Sequence, residues 1–257
     1  MSKFRIAWMF PDTLFLHGER GNVLALKRFA EIAGLDSEVV KIDFDSKGFD
    51  PMDYQVMFFA PGEISSFPAV IEWLDAYRDK IREYIESGRV MIVTGTSVGI
   101  FGKEIKRDNG ETIQGLDLID IGFNENKAVY GDDLYYSATY NCKDFEIIGN
   151  QIQMGDIDLG TAEAFGHVIY GYGNCGKDLN EGIKLNNSVF TNTLGPMLVC
   201  NPRITAEIIK VAAASSGLKA DESALDNYDD SLERKSFETK KKFTENKESN
   251  LTNCTKG

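Results

Sequence analysis

The residues whose types and spacing best suit chemistry are Gly95-Thr96-Ser97-Val98-Gly99, which follow the apolar run Val90-Met91-Ile92-Val93. An apolar run that breaks into Gly-x-Ser-x-Gly and then resumes is how a buried strand feeds a tight strand-to-helix turn, and such a turn displays its middle side chain near backbone N–H donors. Ser97 is therefore the candidate nucleophile, although glycine-bounded turns after parallel strands are more often purely structural. A serine hydroxyl attacks an amide or ester only with a general base within hydrogen-bond reach. The chain has two histidines, His17 and His167. His17 falls in the loop after the first predicted strand, within reach of Ser97 if the two strands are neighbours, and His167 opens a late strand. For each, a satisfied polar contact is the simpler reading.

Other candidates are weaker. Ala60-Pro61-Gly62-Glu63 closes the third predicted strand, where backbone N–H groups, that of Gly62 included, would form an anion or oxyanion site beside the Ser97 turn. Gly171-Tyr172-Gly173-Asn174-Cys175-Gly176 lacks the lysine and the strand-to-helix context of a phosphate loop. Cys175 as a nucleophile needs a lowered pKa, and Lys177 is its one local cation. The stretch Tyr135-Tyr136…Tyr140 reads as strand packing rather than a base-stacking platform.

The elements that must position these residues alternate between strand and helix. Phe4 to Phe10 is a short apolar run ending at Pro11-Asp12. A polar loop then leads to a helix over 23–33, with Asn22 as expected N-cap and Gly34 as its stop. Glu38 to Phe44 and Tyr54 to Phe59 read as the second and third strands. One long amphipathic helix is expected from about Phe67 to Ser87, ended by Gly88. Four such units imply a mainly parallel sheet covered on both faces, with functional loops at the strand C-terminal ends. Between Lys106 and Met154 the pattern turns β-rich and glycine-punctuated (Ala128 to Tyr140, Phe145 to Gln153), as an antiparallel extension of the same unit would be. His167 to Asn174 and Ser188 to Thr193 are expected late strands. A turn at Leu194-Gly195-Pro196 precedes a helix from about Pro202 to Ser216, and Asp221 to Phe243 packs a further helix on the surface.

With 257 residues, 42% of them hydrophobic, the chain can bury a full core. The expected organisation is a main domain over 1–217, a helical extension over 218–243 and a polar, disordered tail over 244–257. A net charge of −12 argues against nucleic-acid and anionic-membrane partners. No apolar run reaches the roughly twenty residues of a bilayer span, and Met1 to Arg5 carry no cleavable signal pattern, so a cytoplasmic location is expected. Cys142, Cys175, Cys200 and Cys254 lack C-x-x-C spacing and read as free thiols. No cofactor and no metal site is expected.

Several blocks in order carry a family resemblance: Phe10-Pro11-Asp12 with Gly18-Glu19-Arg20-Gly21-Asn22-Val23-Leu24-Ala25-Leu26; Gly171-Tyr172-Gly173-Asn174 with Glu181-Gly182; Gly195-Pro196-Met197-Leu198 with Asn201-Pro202; and Asp229-Asp230-Ser231-Leu232-Glu233. On these the chain resembles the class I glutamine amidotransferases of the cobyric-acid-synthase-like (CobB/CobQ-like) type, and among them the GatD-type subunit of lipid II isoglutaminyl synthase. The resemblance implies a three-layer, flavodoxin-like α/β fold with a mainly parallel central sheet and an antiparallel extension. It implies glutamine as ligand and, as heterodimer partner, a Mur-ligase-like (MurT-type) protein. There, ammonia from glutamine amidates the peptidoglycan stem on lipid II.

The resemblance also points to losses. Matching on the glycines puts Ser97 at the family's cysteine, and Phe101 stands where a glutamine follows. Leu194 stands at the family's histidine, immediately before Gly195-Pro196. The glutamine-binding arginine falls at Ala128, next to Lys127, and Gly149-Asn150-Gln151-Ile152-Gln153 replaces a Gly-Phe-Glu-Asn-His-like element. The expectation is an amidotransferase fold with weak or absent glutaminase chemistry and a partner-binding or regulatory role. The alternatives are a glutaminase or another serine hydrolase using Ser97 with a base from a non-family position.

Overall fold

The computed structural model describes residues 3–247; Cys254 and residues 248–257 of the expected tail lie outside the described residues. In chain order the elements are β1 (Phe4–Met9), α1 (Arg20–Ile32), β2 (Ser37–Ile42), β3 (Val56–Phe59), α2 (Phe67–Asp75), α3 (Arg78–Glu86), β4 (Val90–Thr94), α4 (Val98–Phe101), β5 (Glu104–Lys106), β6 (Thr112–Gln114), β7 (Gly122–Tyr130), β8 (Asp133–Tyr140), β9 (Lys143–Asn150), β10 (Gln153–Asp158), β11 (Gly166–Tyr170), β12 (Asn180–Glu181), β13 (Ile183–Leu185), β14 (Ser188–Thr191), α5 (Met197–Cys200), α6 (Pro202–Ser215), α7 (Glu222–Asp226) and α8 (Ser231–Glu245).

The apolar runs assemble as their burial demands. A six-stranded sheet has the order β13-β14-β4-β3-β1-β2, parallel from β14 to β2 with β13 antiparallel at one edge. β3, β4 and β14 are buried at every residue, as strands covered on both faces must be. Helices α1 and α6 pack on one another, α1 against β1 and α6 against β4. The β-rich middle folds into two four-stranded sheets, β10-β7-β5-β6 and β12-β11-β8-β9, antiparallel except for the β5–β7 pair.

The expected long helix is broken. α2 ends at Asp75 and α3 begins at Arg78, because Tyr77 leaves helical geometry (φ −116°, ψ 8°). Its ring stands edge-on to Phe49 at 5.1 Å and against Trp73 at 4.7 Å. Aromatic packing of this kind is worth about 0.5–1.5 kcal/mol per pair beyond area burial. Asn22 is not the N-cap of α1: the helix starts at Arg20, and Asn22 turns inward, fully buried. The Ala128 to Tyr140 run splits into β7 and β8 at Gly131-Asp132, and the Asp221 to Phe243 segment is two helices, α7 and α8. α8 docks through Phe237 on a small second core of Tyr135, Ile148 and Tyr170, with ion pairs Lys240–Asp133 (3.1 Å) and Lys241–Glu146 (2.9 Å).

Candidate functional site

Parallel order β14-β4-β3-β1-β2 brings the loops after β14, β4, β3 and β1 to one edge of the sheet, where ligands of open α/β folds bind. After β4 the chain makes a tight turn, Gly95–Ser97, into α4. Its strained residue is Gly95, with φ +59°, whereas Ser97 is ordinary helical backbone (φ −65°, ψ −14°). In a nucleophile elbow the reactive side chain stands on the strained residue. Here that residue carries no side chain, and a Cβ added to it would meet Pro61 Cγ at 2.8 Å and Leu194 Cδ2 at 3.4 Å.

Ser97 is not displayed, contrary to expectation. It is fully buried, and its hydroxyl donates to the Ala60 carbonyl at 2.7 Å. Thr96 makes the matching link: its hydroxyl donates to the Gly62 carbonyl (2.7 Å) and accepts from the Gly62 N–H (3.1 Å). These bonds lash the loop after β3 to the elbow and consume the N–H that an oxyanion would need. Above Gly62 sits Leu14, fully buried, with Cδ2 2.4 Å from where a Gly62 Cβ would stand. The candidate site is thus packed with Leu14, Pro61 and Leu194.

Leu194 is pinned from both sides. Its backbone exchanges hydrogen bonds with Asn150 at 2.8 and 3.0 Å, which places the Gly149-Asn150-Gln151 segment at the rim. From the β1 loop, Glu19 Oε1 accepts from the Gly195 N–H (2.8 Å), Asn22 Nδ2 donates to Glu19 Oε2 (2.5 Å), and Asn22 Oδ1 accepts from the Leu198 N–H (2.8 Å). The Pro196 ring packs onto Gly21, its Cγ 2.5 Å from the Cβ position, so no larger residue fits there. Glu-x-x-Asn at the start of α1 therefore positions the late turn. Burial pushes the Glu19 carboxyl up to about 7, against the lowering effect of the Gly195 N–H and Asn22.

A second buried relay supports the same turn. Asn174 Oδ1 accepts from the Gly182 N–H (2.7 Å), and Gln151 Oε1 accepts from the Tyr172 and Gly173 N–H groups (2.8 and 3.1 Å). Glu181 Oε1 accepts from Thr191 Oγ1 (2.5 Å), the Asn192 N–H and Thr193 Oγ1 (both 3.0 Å), and burial raises its carboxyl pKa. The Tyr172 and Gly173 N–H groups of the glycine-rich block are thus taken up by the Gln151 side chain.

The histidines are elsewhere. β3 lies between β1 and β4, so the strands bearing His17 and Ser97 are not neighbours; His17 is exposed. His167 is exposed on β11, in a different sheet. Phe101 is buried between Phe59 (5.0 Å) and Phe190 (5.5 Å) as core packing. Lys127 and Ala128 are exposed in an irregular stretch of β7, where the β10 step Gln153 to Gly155 is matched by Tyr130 to Glu125. Burial raises the Cys175 thiol pKa, which disfavours the thiolate. Among the described residues no group of three or more His, Cys, Asp or Glu is arranged to hold a metal ion, and no helix is long and apolar enough to cross a membrane.

The mainly parallel central sheet and the helices packed on it fit the α/β fold of the class I glutamine amidotransferases. Over 83% of this chain and 97% of the other, the fold superposes on the structure of PurLQS from Thermotoga maritima with a TM-score of 0.50 at 11% identity. No family model matches the sequence. Among curated proteins, the chain resembles the GatD subunit of lipid II isoglutaminyl synthase (glutamine-hydrolyzing). It is 27% identical to that of Staphylococcus aureus (strain N315) over 231 residues, 88% of this chain and 91% of that protein. To the GatD of Streptococcus pneumoniae (strain ATCC BAA-255 / R6) it is 24% identical over 215 residues, 82% and 80% of the two chains.

Proposed function

We propose that this chain is a GatD-like subunit that keeps the amidotransferase fold, has lost glutamine hydrolysis, and acts as a binding or regulatory partner of a Mur-ligase-like (MurT-type) protein in the cytoplasmic amidation of lipid II. The observation that carries the reading is Leu194 standing over Gly95: an apolar side chain faces the strained residue on which a nucleophile would stand. Amide hydrolysis needs a nucleophile, a base to take its proton and room for the substrate. Nucleophile and base act as a unit, so losing both leaves only the residual rate of a binding site, orders of magnitude below an intact one. Leu14 and Pro61 fill the space besides, and Ala128 in place of the family's arginine removes the cation that would hold the glutamine carboxylate, with Lys127 exposed beside it.

The competing use of Ser97 as nucleophile is opposed by its hydrogen bond to the Ala60 carbonyl and by the position of both histidines. The partner half of the reading is tested by co-expression with the Mur-ligase-like protein of the same genome. A stable one-to-one complex on size exclusion, whose amidation of lipid II runs on ammonium but is not stimulated by glutamine, is the expected result. Two proteins that elute apart, or amidation that glutamine drives, would overturn it.

A further inference from the structure

Most large apolar side chains of this chain are buried, yet Leu24 on α1 is 63% exposed and Val199 on α5 44% exposed. The two lie on elements that touch. Val199 Cγ2 is 3.4 Å from the Cβ position of Gly21, and Leu24, three residues on, shares the helix face of Gly21. Arg20 and Arg28 lie four residues to either side of Leu24, on the same exposed stripe. Although acidic residues outnumber basic ones by 40 to 28 in this chain, neither arginine forms an ion pair among the described residues. The patch is rigid, because Glu19–Gly195, Asn22–Leu198 and the Gly21–Pro196 packing lock α1 to the late turn.

We infer that Leu24 and Val199, rimmed by Arg20 and Arg28, form the docking surface for the partner protein, whose matching face is apolar at its centre and carboxylate-bearing at its edge. The chain's overall negative charge does not decide this pairing. Charges more than about 8–10 Å away are screened at physiological salt, so the local arginines set the complementarity. An apolar centre with a polar rim is the usual anatomy of a protein–protein interface. The surface adjoins the filled candidate site through Pro196, so a partner seated there contacts the turn that carries Leu194.

This inference rests on the reading of the chain as a partnered subunit, and its test separates the two. The full chain and its variants are titrated against the purified Mur-ligase-like protein by calorimetry. Leu24→Glu is expected to weaken binding by about tenfold or more. The pair Arg20→Glu and Arg28→Glu is expected to weaken it and to flatten its loss between about 0.1 and 1 M salt, where the screening length falls from about 10 to 3 Å. Ile169→Glu, at an exposed position of β11, serves as the control and leaves affinity unchanged. Unaltered circular dichroism excludes misfolding of these surface variants. Wild-type affinity in Leu24→Glu overturns this surface alone. No binding by the wild-type chain overturns the partnered reading and this surface with it. A homodimer of the isolated chain that Leu24→Glu dissolves shows that a second copy is the occupant and also overturns the inference.

Discussion

Leu194 and Gly95 face one another across the C-terminal edge of the central sheet, with Leu194 Cδ2 3.4 Å from the point where a side chain on Gly95 would begin. Both are held there by long-range bonds. Leu194 is fixed by Asn150 and, through Gly195, by Glu19; Gly95 is fixed by the Thr96–Gly62 and Ser97–Ala60 links.

Supplying one half of a nucleophile–base pair is expected to yield no hydrolysis. Gly95→Cys puts a side chain on a residue at φ +59° and 2.8 Å from Pro61, so it should cost about 1–3 kcal/mol of stability in urea titration. Leu194→His leaves no nucleophile for its ring to serve and should release no ammonia from glutamine.

Ser97→Ala should act as a packing mutation. It leaves the Ala60 carbonyl without its hydroxyl donor and should destabilise the fold by about 1 kcal/mol. Urea titration checks this, and a loss of any hydrolytic activity on the same substitution would assign Ser97 a chemical role.

Asn22→Ala should loosen the late turn. It strips the Leu198 N–H of its acceptor and Glu19 of its donor, each a buried group whose loss costs about 1–3 kcal/mol. Hydrogen exchange should show the Leu198 amide losing protection while amides of β3 and β4 keep theirs.

Glu19 makes stability depend on pH near neutrality. Burial raises its folded-state pKa to about 7, above the value in the unfolded chain, so the folded state holds the proton more tightly. Its contribution is complete below about pH 4.5 and is lost as pH rises through about 7, by up to about 3 kcal/mol. Glu19→Gln, which cannot ionise, should gain on the wild type between pH 5 and 8 in parallel urea titrations, within that bound of about 3 kcal/mol. An unchanged difference would contradict the buried-carboxyl account.

The alternation of apolar runs with amphipathic stretches made the parallel sheet legible, because burial on two faces leaves continuous runs such as Val90–Thr94. The elbow's existence was legible too, but its register was not. Gly95-Thr96-Ser97-Val98-Gly99 does not say which residue takes the strained backbone, and the structure gives that place to Gly95. Leu14 over Gly62, Pro61 over Gly95 and the Glu19–Gly195 bond join segments from 34 to 176 residues apart, and no local pattern encodes such distances. The signal that was available is Glu19-x-x-Asn22, polar residues on the inward face of a helix start, which invites the question of what they bind. The break at Tyr77 was hidden because Trp73, Tyr77 and Ile81 fit a helical stripe equally well.

The central claim, that the elbow does no chemistry, is tested most directly with glutamine labelled with nitrogen-15 at its side-chain amide, incubated with the chain in complex with the Mur-ligase-like protein proposed as its partner and followed by NMR. The account predicts no labelled ammonium above the level given by the Ser97→Ala complex. Labelled ammonium produced by the wild-type complex and abolished by Ser97→Ala would contradict it.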